Sequence, residues 1–333
     1  MLRKLIISAC ITGLFSLFIV PNADSQTTPD LPRDHRVTPT LAGVSSQPLP
    51  DLSDLLITAA QLQVQPTQPV QFTEIALRPE PVAIHRLPTR LISVSPLPIR
   101  ALVESEVTSL SVATATDAAI LDSNGDAIAT LPQSVSYAAQ PTAAGIQIGD
   151  TQFPPLVQIA PTEDGVSYVN GRWYRGTLTL VNIDSELLVV NNVDLEQYLY
   201  SVVGAEMPAS WNSEALRAQA IAARSYALAH IENPASDWYD IGSNESYQMY
   251  RGIESETDST YAAVVDTDGQ VLVQDGHTLT ALYASTDEVS NDAHSGIGMS
   301  QVGAAELADS GVLYEAILAH YYPGGEIYRL TYS

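Results

Sequence analysis

Glu206 stands in the stretch Glu206-Met207-Pro208, between an apolar run that ends at Val203 and an alanine-rich run that begins at Ala215. A carboxyl at such a break, with apolar neighbours, loses water, and losing water raises its pKa. A carboxylic acid kept protonated near neutral pH is what general-acid cleavage of a glycosidic bond uses. The same residues also suit a plain helix-terminal glutamate paired with a cation such as Arg224. A hydrolase would want a second carboxylate about 5–9.5 Å away. Asp287 and Glu288 are the candidates for that partner. His277, His294 and His320 have no metal-ligand spacing, and Cys10 is the only cysteine, so neither a cysteine-held zinc nor a disulfide framework is expected.

The elements that must position Glu206 follow from its neighbours. Asp194 is a helix N-cap, and Leu195, Tyr198, Leu199, Val202 and Val203 make one apolar face behind it. Gly204 reads as the helix end, which leaves Glu206 just beyond it in the link before Pro208. Ser213 reads as the cap of a second helix. Leu216, Ala220, Ala223 and Ala227 form its narrow buried face, and Asn233-Pro234 ends it. Gln270 to Ser285 reads as two strands around an Asp275-Gly276 turn, and a last helix is expected from about Gly303 to His320. Upstream, short β-like runs begin at about Leu102 and are punctuated by turns such as Asn124-Gly125-Asp126 and Asn170-Gly171. Residues 176–193 alternate like a hairpin. Asp122, Asn124 and Asp126 resemble the start of a calcium loop. The twelfth position holds Gln133 rather than Glu, so a tight turn is the better reading.

Charge and composition divide the chain. Residues 26–100 hold six acids and six arginines together with 12 prolines, the composition of an extended tether. Residues 101–333 hold 31 acids against six arginines, a net charge of −25. A surface this negative excludes nucleic acid and anionic lipid as ready partners. Arg3 and Lys4, the uncharged run Leu5 to Val20 and the small residue Ala23 read as an export signal over residues 1–23, with an uncleaved anchor as the alternative. Periplasm, cell wall or extracellular space is the expected location. The remaining divisions are a Pro-rich linker at 24–100, a β-rich segment at 101–164 and a further domain at 165–333.

That last domain resembles a known family. The run from Leu195 to Leu228, LEQYLYSVVGAEMPASWNSEALRAQAIAARSYAL, is similar to the signature of the stage II sporulation protein D and amidase-enhancer (SpoIID/LytB) family. SYQMYRGI, DTDGQVLVQDGHTLTALYAS and GIGMSQVGAAELA resemble further family motifs in the same order. The resemblance implies an α+β domain with antiparallel strands and a few helices, here preceded by the β-rich segment and the tether. It implies a lytic transglycosylase acting on peptidoglycan glycan strands stripped of stem peptides, with Glu206 as the single catalytic acid and base and no cofactor. Other family members are described as enhancers of a wall amidase. The alternative is therefore a non-catalytic wall binder that activates an N-acetylmuramoyl-L-alanine amidase. Matching positions make Gln219, Arg224, Tyr226, Gln248, Tyr250, Tyr283, Ser285, Ser300 and Gln301 candidate substrate-binding residues. The sequence departs from the family in two places. Asp287-Glu288 replaces a Gly-Gly pair, and Ser295 stands where a histidine is usual, with His294 one place earlier. A segment that helps form the groove in relatives is shortened between Tyr283 and Gly296. Some relatives hold zinc there through cysteines and histidines; with no cysteine in the region, no zinc is expected here.

Overall fold

The computed structural model describes residues 91–94, 97–294 and 298–332. The export signal, most of the tether, Ser295 and the side chain of His294 lie outside the described residues and side chains. The chain forms antiparallel sheets followed by a helical layer, an α+β arrangement. The strands are β1 (Leu91–Val94), β2 (Pro98–Val107), β3 (Leu110–Thr114), β4 (Ala118–Leu121), β5 (Ala127–Leu131), β6 (Tyr137–Thr142) and β7 (Gly145–Ile148). After them come β8 (Thr151–Phe153), β9 (Leu156–Pro161), β10 (Val166–Val169), β11 (Arg172–Arg175), β12 (Thr177–Ile183) and β13 (Glu186–Asp194). Then follow α1 (Leu195–Glu206), α2 (Ser213–Glu232), a 3-10 turn (Gly252–Ser255) and α3 (Asp258–Asp266). The chain continues through β14 (Gln270–Gln274), β15 (His277–Thr278), β16 (Tyr283–Ala284), α4 (Asp287–His294) and β17 (Met299–Ser300). It closes with α5 (Gln301–Asp309), α6 (Tyr314–Tyr321) and β18 (Glu326–Tyr332).

Two six-stranded sheets, ordered β11-β10-β3-β6-β7-β8 and β2-β13-β12-β9-β4-β5, share one core. Val112, Ala139 and Ile146 from the first meet Ile120, Ile159, Leu178 and Leu187 from the second. These sheets run through residue 164 without a break, and the first helix starts only after Asp194. The β12–β13 hairpin pairs Ile183 with Glu186, and Asp184 and Ser185 both take positive φ, as a two-residue primed turn requires. A bulge at Leu187–Val190 shifts the register of β13 against β2. Beyond it, Ile99, Ala101 and Val193 join the core under the helices instead of the core between the sheets. Asp122 Oδ1 accepts from the amides of Asn124 (2.8 Å) and Asp126 (3.0 Å), the tight turn expected there.

The helical layer is built around α2, whose side chains from Leu216 to Leu228, with the exception of Arg217, are buried. The sequence suggested one narrow buried face; α1, α3, α5, α6 and β14 instead surround it. Alanine at Ala215, Ala218, Ala220, Ala222, Ala223, Ala227 and Ala229 lets neighbours approach from every side. Its N-cap is Asn212, whose Oδ1 accepts from the Glu214 amide at 3.0 Å, one residue before the serine expected to cap it. On α1, Asp194 Oδ1 caps Glu196 and Gln197, and Leu195, Tyr198, Leu199, Val202 and Val203 are fully buried. Each such side chain contributes about 1.5–3 kcal/mol. The expected last helix is two helices, α5 and α6, because Gly311 takes φ +86° and turns the chain between them.

Helix α1 does not end at Gly204; it continues to Glu206. Glycine is required there for packing, since a Cβ would collide with the Ser255 carbonyl oxygen. Helix propensity alone makes Gly204→Ala stabilising by about 1 kcal/mol. The collision reverses the sign, and a destabilisation of about 3 kcal/mol is expected. A urea midpoint at or above that of the parent protein would show that Ser255 is not so close.

Candidate functional site

Glu206 ends α1 with its carboxyl held by three donors from two other parts of the chain. The Met249 amide donates to Oε1 at 2.7 Å, the Tyr283 hydroxyl to Oε1 at 3.3 Å and Gln301 Nε2 to Oε2 at 3.3 Å. The loop that carries Met249 is fixed at both ends. Arg100 binds Asp240 through its guanidinium (2.6 Å), and the Leu102 amide donates to the Ile241 carbonyl (3.0 Å). Gln248 Nε2 donates to the Ala223 carbonyl (3.0 Å), and its Oε1 accepts from the Tyr198 hydroxyl (3.1 Å). On the other side, β16 and β17 pair in parallel, Tyr283 opposite Met299 and Ala284 opposite Ser300. Ser300 Oγ then caps α5 by accepting from the Gly303 amide (3.1 Å). That corner places Tyr283 and Gln301 on one carboxyl.

Burial dominates the electrostatics of Glu206 and pushes its pKa above the ordinary 4.5; the three hydrogen bonds and the nearby charge of Arg251 pull the other way without cancelling it. Burial, with the Glu206 charge second, pushes the Tyr283 hydroxyl well above its usual 10.0, so Tyr283 remains a donor. The result is an acid that holds its proton to higher pH and donors that accommodate the carboxylate once the proton has left.

A cleft of about 650 Å³ opens beside Glu206, within the roughly 300–1,000 Å³ typical of ligand sites. Tyr226, Gln248, Tyr250, Tyr283, Ser285 and Gln301, six of the nine candidates named from sequence, line it. Three candidates do not. Arg224 is fully buried and binds Glu196 through Nε and Nη2, both at 2.7 Å, so it neither orients Glu206 nor faces the cleft. Gln219 is fully buried on α2 with no hydrogen-bond partner among the described residues. Ser300 is the α5 cap. Asp287 and Glu288 sit in the first turn of α4 and do not line the cleft; its other carboxylate is the exposed Glu245.

Other lining residues were not singled out from sequence. Leu102, Val103, Arg172 and Tyr174 come from the paired sheets. Tyr174 and Tyr198 both stack on Tyr250, at centroid distances of 5.4 and 4.7 Å. Tyr250 also donates to Asn191 Oδ1 at 2.6 Å. The aromatic and arginine cluster Arg172-Trp173-Tyr174-Arg175 after a turn was the available sign. Gly252, at φ +73°, lets the cleft loop pack on β11, since a Cβ there would strike the Trp173 carbonyl. No group of three or more His, Cys, Asp or Glu side chains could hold a metal among the described residues. No helix among them is long and apolar enough to cross a membrane.

Comparison with known proteins bears on this site. Residues 183–274 match the family described as Stage II sporulation protein, SpoIID. An uncharacterized protein of Brachyspira hyodysenteriae is 34% identical over 125 residues, covering 37% of this chain and 34% of its own length. The amidase enhancer of Bacillus subtilis is 38% identical over 101 residues, 29% of this chain and 13% of the relative. Stage II sporulation protein D of the same organism is 30% identical over 114 residues, 29% of this chain and 33% of the relative. The matches span about a third or less of each of these relatives.

Proposed function

We propose, from the premise that this chain carries a SpoIID-family domain, that it is an exported lytic transglycosylase cleaving peptidoglycan glycan strands that lack stem peptides. The observation that carries the reading is the Glu206 carboxyl, partly buried at the edge of a tyrosine-lined cleft and bonded by Met249, Tyr283 and Gln301. One carboxyl suffices for this chemistry. Glu206 gives its proton to the glycosidic oxygen, and the bond from that oxygen to the anomeric carbon breaks. The C6 hydroxyl oxygen of the same sugar closes on the anomeric carbon, and its proton returns to Glu206. No water is consumed. Tyrosine faces and amides such as Gln301 suit sugar rings, which offer apolar faces and hydroxyl edges.

The test is product analysis by mass spectrometry after incubating the full chain with denuded glycan strands. Anhydro-ended sugars are expected. Reducing ends would mean hydrolysis and would turn attention to Glu245. Intact strands would favour the second reading, for which the similarity to an amidase enhancer speaks: a wall-binding protein that activates a separate amidase.

A further inference from the structure

Seven arginines and no lysine stand among residues 97–330 of a chain whose net charge is −24. Cations are scarce here, so where each one goes is informative. Arg100 binds Asp240, Arg175 binds Glu256, Arg217 binds Glu214 and Asp266, and Arg224 binds Glu196. Arg329 lies on β18, away from the Glu206 cleft. Arg172 and Arg251 differ from these five in being exposed on the Glu206 cleft; of the five, Arg329 alone shares their lack of a salt bridge among the described residues, and it does not line the cleft. Neither has a carboxylate within salt-bridge distance among the described residues, both are exposed, and both line the Glu206 cleft. They reach it from opposite sources. Arg172 begins β11 in the paired sheets, while Arg251 belongs to the loop that carries Met249. The Arg251 side chain rests on the Met249 sulfur at 3.3 Å.

We propose that Arg172 and Arg251 form an anion subsite that reads a free carboxylate on the sugar ligand. The assignment rests on the glycan reading above and deepens it. In peptidoglycan that carboxylate is the lactyl group of N-acetylmuramic acid, which is free when the stem peptide is absent and an amide when it is present. A guanidinium bonds a carboxylate through two parallel N–H donors, and an amide offers it neither the charge nor the second oxygen. The cleft's own carboxylates are Glu206 and the exposed Glu245. Glu245 is solvated, and two guanidiniums outweigh it. Elsewhere the acidic surface repels an anionic strand, so this pair also directs the strand toward the cleft. Tyr174, two residues from Arg172 on β11 and stacked on Tyr250, gives the sugar ring a face beside the charge.

The experiment uses the full chain with Glu206→Gln, so that the ligand survives, and titration calorimetry. The probes are a tetrasaccharide of alternating N-acetylglucosamine and N-acetylmuramic acid with free lactyl carboxylates, and the same tetrasaccharide amidated. The free acid is expected to bind about tenfold more tightly at low salt, with the difference shrinking as salt is added. Adding Arg172→Gln or Arg251→Gln should weaken binding of the acid several-fold and leave the amide unchanged. Because both arginines are exposed, circular dichroism should show no loss of fold. Equal affinity for acid and amide would overturn the subsite while leaving the glycan reading intact. Equal weakening of both forms by the arginine variants would do the same. Binding of neither sugar would overturn the glycan reading and this assignment with it.

Discussion

Glu206→Gln is expected to lower the rate of glycan cleavage by about 10²–10⁴-fold or more while the protein stays folded and still binds strands. Glutamine keeps the shape and can still accept from Met249, Tyr283 or Gln301, but it has no proton to give. The pH dependence adds a second signature. Burial raises the Glu206 pKa above 4.5, so the acid form persists above the ordinary carboxyl range and the rate should fall as pH rises through that raised value. The stability linkage has the matching sign. Between the unfolded pKa and the raised folded one, the native state binds the proton more tightly than the unfolded chain, so stability falls as pH rises through that window. The glutamine variant has no such proton. It should equal the parent below the window and exceed it above, on the order of 1 kcal/mol, as a desolvated functional carboxylate is removed. A variant that cleaves at the parental rate would remove Glu206 from the chemistry. A stability difference that does not change with pH would mean that its carboxyl is not desolvated.

What sequence made legible at this site was local. Asp194 as a cap, the Asp275-Gly276 turn and the 176–193 hairpin each depend on residues a few positions apart. Glu206 stood out because its Met-Pro context and alanine-rich sequel are contiguous. Non-local packing decided what was missed. Gly204 looked like a helix end because glycine usually ends helices; here it is needed inside one by Ser255, about fifty residues later. The second helix looked one-sided because alanine is silent about direction, whereas its whole circumference is covered. Arg172 and Tyr174 reach the cleft only because the paired sheets lie beside the loop from Ser243 to Arg251. No periodicity in the chain reports that adjacency. The Ser300 hydroxyl, read as a sugar contact, shows the converse: a motif position occupied for the sake of a helix cap.

Arg224 carries the second large expectation, and it separates structure from chemistry. Its guanidinium is fully buried, with Nε and Nη2 on the two Glu196 oxygens. Nη1 donates to the Gln270 carbonyl at 3.1 Å and Nη2 to the Val264 carbonyl at 3.2 Å. One side chain therefore ties α2 to α1, α3 and β14. Arg224→Met removes the charge and strands the Glu196 carboxylate, for which about 3–5 kcal/mol of destabilisation is expected. Arg224→Lys should recover little, because a single ammonium cannot reproduce the two-pronged contact. Adding Glu196→Gln to Arg224→Met should restore part of the loss, since the stranded charge is then gone. Activity should follow the folded fraction: measured well below the melting temperature, KM and kcat per folded molecule should stay near those of the parent. A direct role in holding sugar predicts the opposite pattern, an unchanged melting temperature with a raised KM. Denaturation curves and Michaelis kinetics on the same three variants distinguish the two. The buried fork between α1 and α2 favours the first, because a guanidinium closed off from the cleft can act on the substrate only through the helices it joins.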